Sequence, residues 1–238
     1  MVKQLILVLA LLTSPAWATW TLVQTASIVN TGACTGTTSC AITVASTGTG
    51  NLIVLAYLSA TTTAVTISSV SGGGTYTHCT NCSIFGVTTG SLDMSYTLAS
   101  VSGATTITMT LSATASVPIG MMWEFHSTTG FALDTSNTIS DATCTACAGP
   151  SLTLTGANDV IAAAAANGGT GSGVTGTGWV NDQANPSGDS MAHALNVATM
   201  SMTFTQTSSI LRAAAMAFKE TSAVTCTNYI ALLGAGCK

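Results

Sequence analysis

Between Trp20 and Lys219 the chain is a succession of short runs rich in Thr, Val and Ile, each closed by glycine, asparagine or proline. No stretch carries the sustained 3.6-residue apolar period of an amphipathic helix. β-Branched side chains lose rotamer freedom in a helix but pack well on a pleated surface, so the pattern predicts an all-β chain. Strands are expected over residues 20–28, 41–44, 51–59, 65–70, 92–98 and 105–111, then over 118–125, 132–139, 152–154, 160–166, 191–199, 201–205 and 210–219. Gly72-Gly73-Gly74, Gly103, Gly130, Gly156, the 168–178 stretch and Asn185-Pro186-Ser187-Gly188 supply the turns between them. About a dozen short strands at this spacing suggest a single antiparallel β-sandwich or jelly roll over residues 19–219.

Asn51 to Tyr57, Val160 to Ala166 and Ile210 to Phe218 are apolar on both faces, which places them centrally in a sheet. The Ala162–Ala166 and Ala213–Ala217 runs would suit a helix by propensity alone. The flanking glycine and Asn-Asp turn signals favour strand.

The first eighteen residues have a different character. Lys3 precedes an apolar run from Leu5 to Leu12, and Ala16-Trp17-Ala18 is a small-x-small cleavage site of the secretory kind. A signal peptide over residues 1–18 is expected, and with it a secreted chain, extracellular or at the cell surface. The run is shorter than the roughly 20 apolar residues a spanning helix needs, so no membrane insertion is expected after cleavage. Charged residues make up 5% of the chain, with four Lys and Arg against eight Asp and Glu. Nucleic acid needs several cations to neutralise its phosphates, so no nucleic-acid partner is expected. Solubility falls to 44 Thr and 26 Ser, while 47% hydrophobic content in strand-like runs supplies a core.

The eight cysteines pair most simply with their nearest neighbours in turn-rich segments: Cys34 with Cys40, Cys79 with Cys82, Cys144 with Cys147, and Cys226 with Cys237. The two C-x-x-C spacings would also suit a four-cysteine zinc site, with His78 beside one of them. An oxidising compartment favours disulfides over zinc, and no cofactor is expected. Residues 220–238, carrying the Cys226–Cys237 loop, read as a small C-terminal appendage.

Catalytic equipment is sparse. Glu124, inside the apolar run Met121-Met-Trp-Glu-Phe-His, with Asp93 as partner, is the one weak carboxylate pair for a glycosidase. The competing reading has both carboxylates pointing outward on alternating strands, or Glu124 accepting hydrogen bonds from loop amides. No Gly-x-Ser-x-Gly elbow and no phosphate-binding loop is present. Asp182 and Asp189, close in one loop, are weak candidates for calcium, although such residues more often form Asx turns. Trp123, Trp179 and Tyr57 are weak candidates for stacking on sugar rings. Thr-x-Thr elements at Thr61–Thr63, Thr108–Thr110, Thr153–Thr155 and Thr203–Thr205 keep no constant period, and outward-facing threonines on ordinary strands account for them.

Trp20-Thr-Leu-Val-Gln, Gly50-Asn-Leu-Ile-Val-Leu-Ala, Val65 to Tyr76, Trp123-Glu-Phe, Phe131-Ala-Leu-Asp134, Asn158-Asp-Val-Ile and Ala215-Met-Ala-Phe-Lys219 follow one another in an order that resembles a group of uncharacterised secreted and virion-associated jelly-roll-like domains of bacteria and phages. The resemblance implies a fold and no activity. The eight cysteines and the tail after Glu220 depart from it. Three functions are compatible with these residues. The first is a non-enzymatic β-sandwich acting by surface contact, through adhesion, carbohydrate binding or a role as a surface-structure subunit, with neutral glycans or copies of itself as partners. The second is a glycosidase using Glu124 and Asp93, and the third a filament or virion subunit assembling through its tail.

Overall fold

The structure, a computed structural model, describes residues 19–29, 34–86, 90–167, 171–184 and 189–221. The expected signal peptide and the Cys226–Cys237 loop lie outside the described residues. Strands β1 (Thr21–Val29), β2 (Ser39–Thr43), β3 (Leu52–Ser59), β4 (Ile67–Ser71) and β5 (Thr77–His78) are followed by a 3₁₀ turn at Thr80–Cys82. Then come β6 (Ile84–Gly86), β7 (Gly90–Thr97), β8 (Thr106–Leu111), β9 (Pro118–His126) and β10 (Gly130–Ala148). The last group is β11 (Asp159–Asn167), β12 (Gly171–Thr175), β13 (Trp179–Ala184), β14 (Ser190–Val197) and β15 (Thr203–Thr221).

They form three antiparallel sheets. Sheet 1 has the order β1-β9-β3-β7-β5 with β6 also on β7, sheet 2 the order β10-β15-β11-β14-β13 with β12 also on β15, and sheet 3 the order β2-β8-β4. Where the sequence suggests one sandwich of about a dozen strands, the described residues make fifteen strands in three sheets. The reason lies in β3 and β9. Leu52, Val54, Ala56 and Leu58 pack into a core shared with sheet 2, whereas Ile53, Leu55 and Tyr57 pack into a second core with Ile42, Ile107 and Met109 of sheet 3. A strand apolar on both faces needs a layer on each side, and sheet 1 is that middle layer.

The alanine runs serve the same stacking. Ala163, Ala164 and Ala165 of β11 lie opposite Ala215, Ala214 and Ala213 of β15. Ala162, Ala164 and Ala214 share the first core with Trp123, Met121 and Phe125 of sheet 1, and Ala163, Ala165 and Ala213 face a third core with Phe204 and Val174. Small side chains on sheet 2 thus accommodate large ones on sheet 1, and close packing leaves little room for growth. Ala164→Leu is expected to cost about 1–3 kcal/mol by overpacking, read as a lower urea midpoint with unchanged slope.

Two strands run further than expected. The 132–139 strand continues to Ala148, and the 201–205 and 210–219 strands are one strand, because bulges between Asp141 and Ala146 carry the β10–β15 pairing past irregular positions. Residues 152–154 are not a strand. Three cysteine pairs are disulfide-bonded: Cys34–Cys40, Cys79–Cys82 and Cys144–Cys147.

Candidate functional site

Glu124 sits on β9 with its side chain wholly buried. Its Oε1 accepts hydrogen bonds from the Gly48 backbone N–H at 2.7 Å and from Asn51 Nδ2 at 2.7 Å, and its Oε2 accepts one from Gln24 Nε2 at 2.5 Å. Asn51 in turn meets His126 Nδ1 through Oδ1 at 2.9 Å. The carboxylate is a hub that ties β1 and the 45–51 loop to β9, with its oxygens committed to protein donors.

Asp93, on β7, is equally buried. It accepts from the Ile67 backbone N–H at 2.6 Å and contacts His78 Nε2 at 2.8 Å. Burial raises its carboxyl above the ordinary value, while Ile67 and His78 pull the other way. The structure does not bring it to Glu124. Glu124 is in register with Ile53 and Asp93 with Tyr57, on opposite sides of β3, so two strand spacings and four residues separate their backbones by about 16 Å. A glycosidase pair needs carboxyl groups no more than about 9.5 Å apart.

The other sequence candidates also find protein partners. Asp182 Oδ2 accepts from Trp123 Nε1 at 2.7 Å and meets His193 Nδ1 at 2.7 Å, joining sheet 1 to sheet 2. An oxygen facing two N–H groups is poorly disposed to hold calcium, and Asp189 is not brought into a group of metal ligands with it among the described residues. Trp123 and Tyr57 are core side chains, each 0% exposed. They offer no ring face to a sugar, which corrects the expectation of stacking platforms, and burial pushes the Tyr57 hydroxyl up to about 12. Trp179 is half-buried and donates its indole N–H to the Ser201 carbonyl at 2.9 Å. The two C-x-x-C pairs lie in different cores, Cys79 and Cys82 in the first and Cys147 in the third, so they do not converge on one tetrahedral site.

An open cleft lies where β3 ends and β7 and β9 begin. Its volume is about 610 Å³, and Thr61, Thr62, Thr63, Thr114, Ser116 and Thr35 supply its hydroxyls beside Gly36, Ala60, Gly90 and Ala115. No charged or aromatic side chain lines it among the described residues. Local bonds shape its wall. The Ser116 hydroxyl donates to the Ala60 carbonyl at 2.5 Å, Thr61 donates to the Thr63 carbonyl at 2.6 Å, and the Gly36 N–H donates to the Ala115 carbonyl at 2.9 Å. The Cys34–Cys40 disulfide anchors the segment bearing Thr35 and Gly36. Gly90 is demanded by the geometry: its φ is +86°, and a Cβ there would come within 1.7 Å of the Ser59 carbonyl oxygen. Sequence reasoning passed over this site, although the Thr61-Thr62-Thr63 run was its visible signal.

The fold and its polar groups define an all-β, disulfide-bonded chain of three antiparallel sheets whose buried carboxylates mostly serve protein donors. No protein-family model, no curated protein and no solved structure matches the chain.

Proposed function

We propose that the chain is an exported, non-enzymatic β-protein that acts by surface contact with a neutral, hydroxyl-bearing partner, as a carbohydrate-binding or adhesive module or a surface-structure subunit. In this reading the sheets form a jelly-roll-like sandwich extended by one layer. The observation that supports it is the cleft: hydroxyls on an uncharged wall exchange hydrogen bonds with a neutral glycan at no cost of desolvating a charge. The separation of Glu124 from Asp93 favours this reading over a glycosidase.

The test is a glycan-array screen followed by titration of a hit. Paired Thr62→Val and Thr114→Val changes are expected to weaken binding by about tenfold, the equivalent of one or two lost hydrogen bonds, with an unaltered melting midpoint. Binding that ignores both substitutions would remove the cleft from the interaction. Absence of any glycan hit would turn the reading toward copies of this chain as the partner, measured by sedimentation.

A further inference from the structure

One polar cluster takes no part in the cleft and joins three adjacent strands. Asp134 is the extra residue of a bulge in β10, between the Leu133–Phe218 and Thr135–Ala217 pairs. Lys219, near the end of β15, is paired with Ala132 on that side, and on the other side Val160 of β11 pairs with Phe218, which sets Asp159 beside Lys219. Lys219 Nζ lies 2.9 Å from Asp134 Oδ1 and 2.8 Å from the Thr155 hydroxyl. Thr155 also donates to Asp134 through its backbone N–H at 2.6 Å and through its hydroxyl.

Asp159 completes the group in an unusual way. It is 0% exposed, and neither carboxyl oxygen has a hydrogen-bond donor. Gly156 closes over it, since a Cβ at that position would come within 1.8 Å of Asp159 Oδ1 and 2.9 Å of Lys219 Cβ. The Asp134 carboxylate lies close enough for its charge to act on Asp159 and is the nearest acceptor for its proton, with no hydrogen bond joining the two. Burial, reinforced by the Asp134 charge, holds this carboxyl up at about 7. Lys219 is the only lysine among the described residues of a chain with 5% charge, and it rests on a buried carboxylate backed by a second buried carboxyl.

We propose that Lys219 and Asp134 form an intramolecular amide bond, cross-linking β15 to β10, with Asp159 as the proton-transferring group. Asp159 hands its proton to Asp134, so that the group attacked is a carboxylic acid, and the Lys219 nitrogen, once it gives up a proton to the solvent its side chain faces, forms a bond to Cγ of Asp134. The resulting tetrahedral carbon breaks its bond to one carboxyl oxygen. That oxygen leaves as water with the proton it took from Asp159 and one more from the lysine nitrogen, and the proton first released by Lys219 restores the one lost by Asp159. In net terms the two protons lost by the ammonium leave with the oxygen as water, so charge and atoms balance without any redox partner. Proximity makes the step accessible, because amine and carboxyl are already in contact and held there by the strand pairing. The proposal is independent of what the cleft binds.

The experiment is mass spectrometry of the full chain, purified after export, reduced and denatured, then digested with pepsin. The expected result is a branched peptide joining the Asp134 segment to the Lys219 segment, lighter by one water than the two linear peptides together. Lys219→Arg should abolish it. Asp159→Asn, checked for retained disulfides and a cooperative melt, should slow its formation about a hundredfold, the size of a general acid–base contribution. Linear peptides bearing an unmodified Asp134 and an unmodified Lys219 would overturn the proposal. A water loss confined to one linear peptide would overturn it as well, since that marks cyclisation at the aspartate alone. An undiminished rate in Asp159→Asn would overturn the role given to Asp159.

Discussion

Replacing Glu124 with Ala is expected to lower the unfolding free energy by about 4 kcal/mol, because three donors lose one buried, charged acceptor at once. The donors are the Gly48 N–H, Asn51 Nδ2 and Gln24 Nε2, of which Gln24 alone keeps a second acceptor, the Ala45 carbonyl. Glu124→Gln should cost less, about 2 kcal/mol. One amide oxygen can still serve Gly48 and Asn51, but the new NH₂ then confronts Gln24 Nε2 donor to donor. Gln24 cannot simply turn its amide over, since its Oε1 accepts from the Ala45 N–H at 2.9 Å and its Nε2 donates to the Ala45 carbonyl at 3.2 Å. Urea denaturation with the disulfides intact measures both values. The outcome that would sink this account is a Glu124→Gln protein of unchanged midpoint that has lost a glycan-cleaving activity present in the parent. That pair of results would make Glu124 a catalytic acid instead of a structural acceptor.

What could be read from the sequence divides along a physical line. Local signals survived the passage to three dimensions: β-branched runs became strands, and cysteines separated by two or five residues became Cys79–Cys82, Cys144–Cys147 and Cys34–Cys40. The two-faced apolar run at Leu52–Leu58 also lies in mid-sheet, but the third sheet that covers its second face was not expected from a sequence that suggested a single sandwich. Which carboxylates meet could not be read in this way. Glu124 stood out because it interrupts an apolar strand, with Asp93 only as its plausible partner, yet burial of a charge says only that partners exist, not which ones. Asp134, Asp159 and Lys219 lie far apart in the sequence, and only the order β10-β15-β11 makes them neighbours. The bulge that frees Asp134 is a matter of register between strands, which residue type does not encode. The hydroxyl cleft was hidden for a different reason. In a chain with 44 Thr, one more threonine run carries little contrast.

Stability should fall as the pH rises from about 4 to about 7, and Asp159→Asn should remove much of that slope. The sign follows from which state holds the proton. The folded carboxyl is held up at about 7 by burial first and by the Asp134 charge second, from an ordinary value of 3.8. Between those limits the folded chain binds a proton that the unfolded chain has released, so the contribution is complete below the unfolded value and is lost as the pH climbs through the folded one. The difference amounts to at most about 4 kcal/mol, taking 1.36 kcal/mol for each pH unit between the two values. Asp134 acts in the opposite sense. Burial would push it up, but Thr155 and Lys219 outweigh burial and hold it at about 2, so its stabilisation is lost as the pH falls from about 4 toward 2. Melting curves of parent and Asp159→Asn proteins at intervals from pH 4 to pH 8 should therefore converge at the acid end and diverge at the alkaline end, with the asparagine protein the more stable there. Parallel curves would mean that Asp159 ionises inside the fold as readily as outside it. If Lys219 and Asp134 are joined as an amide, the Asp134 charge disappears but burial of Asp159 does not, so the slope keeps its sign and loses part of its height. The pH series and the peptide map thus bear on the same three residues through different properties, one through a proton and the other through a bond.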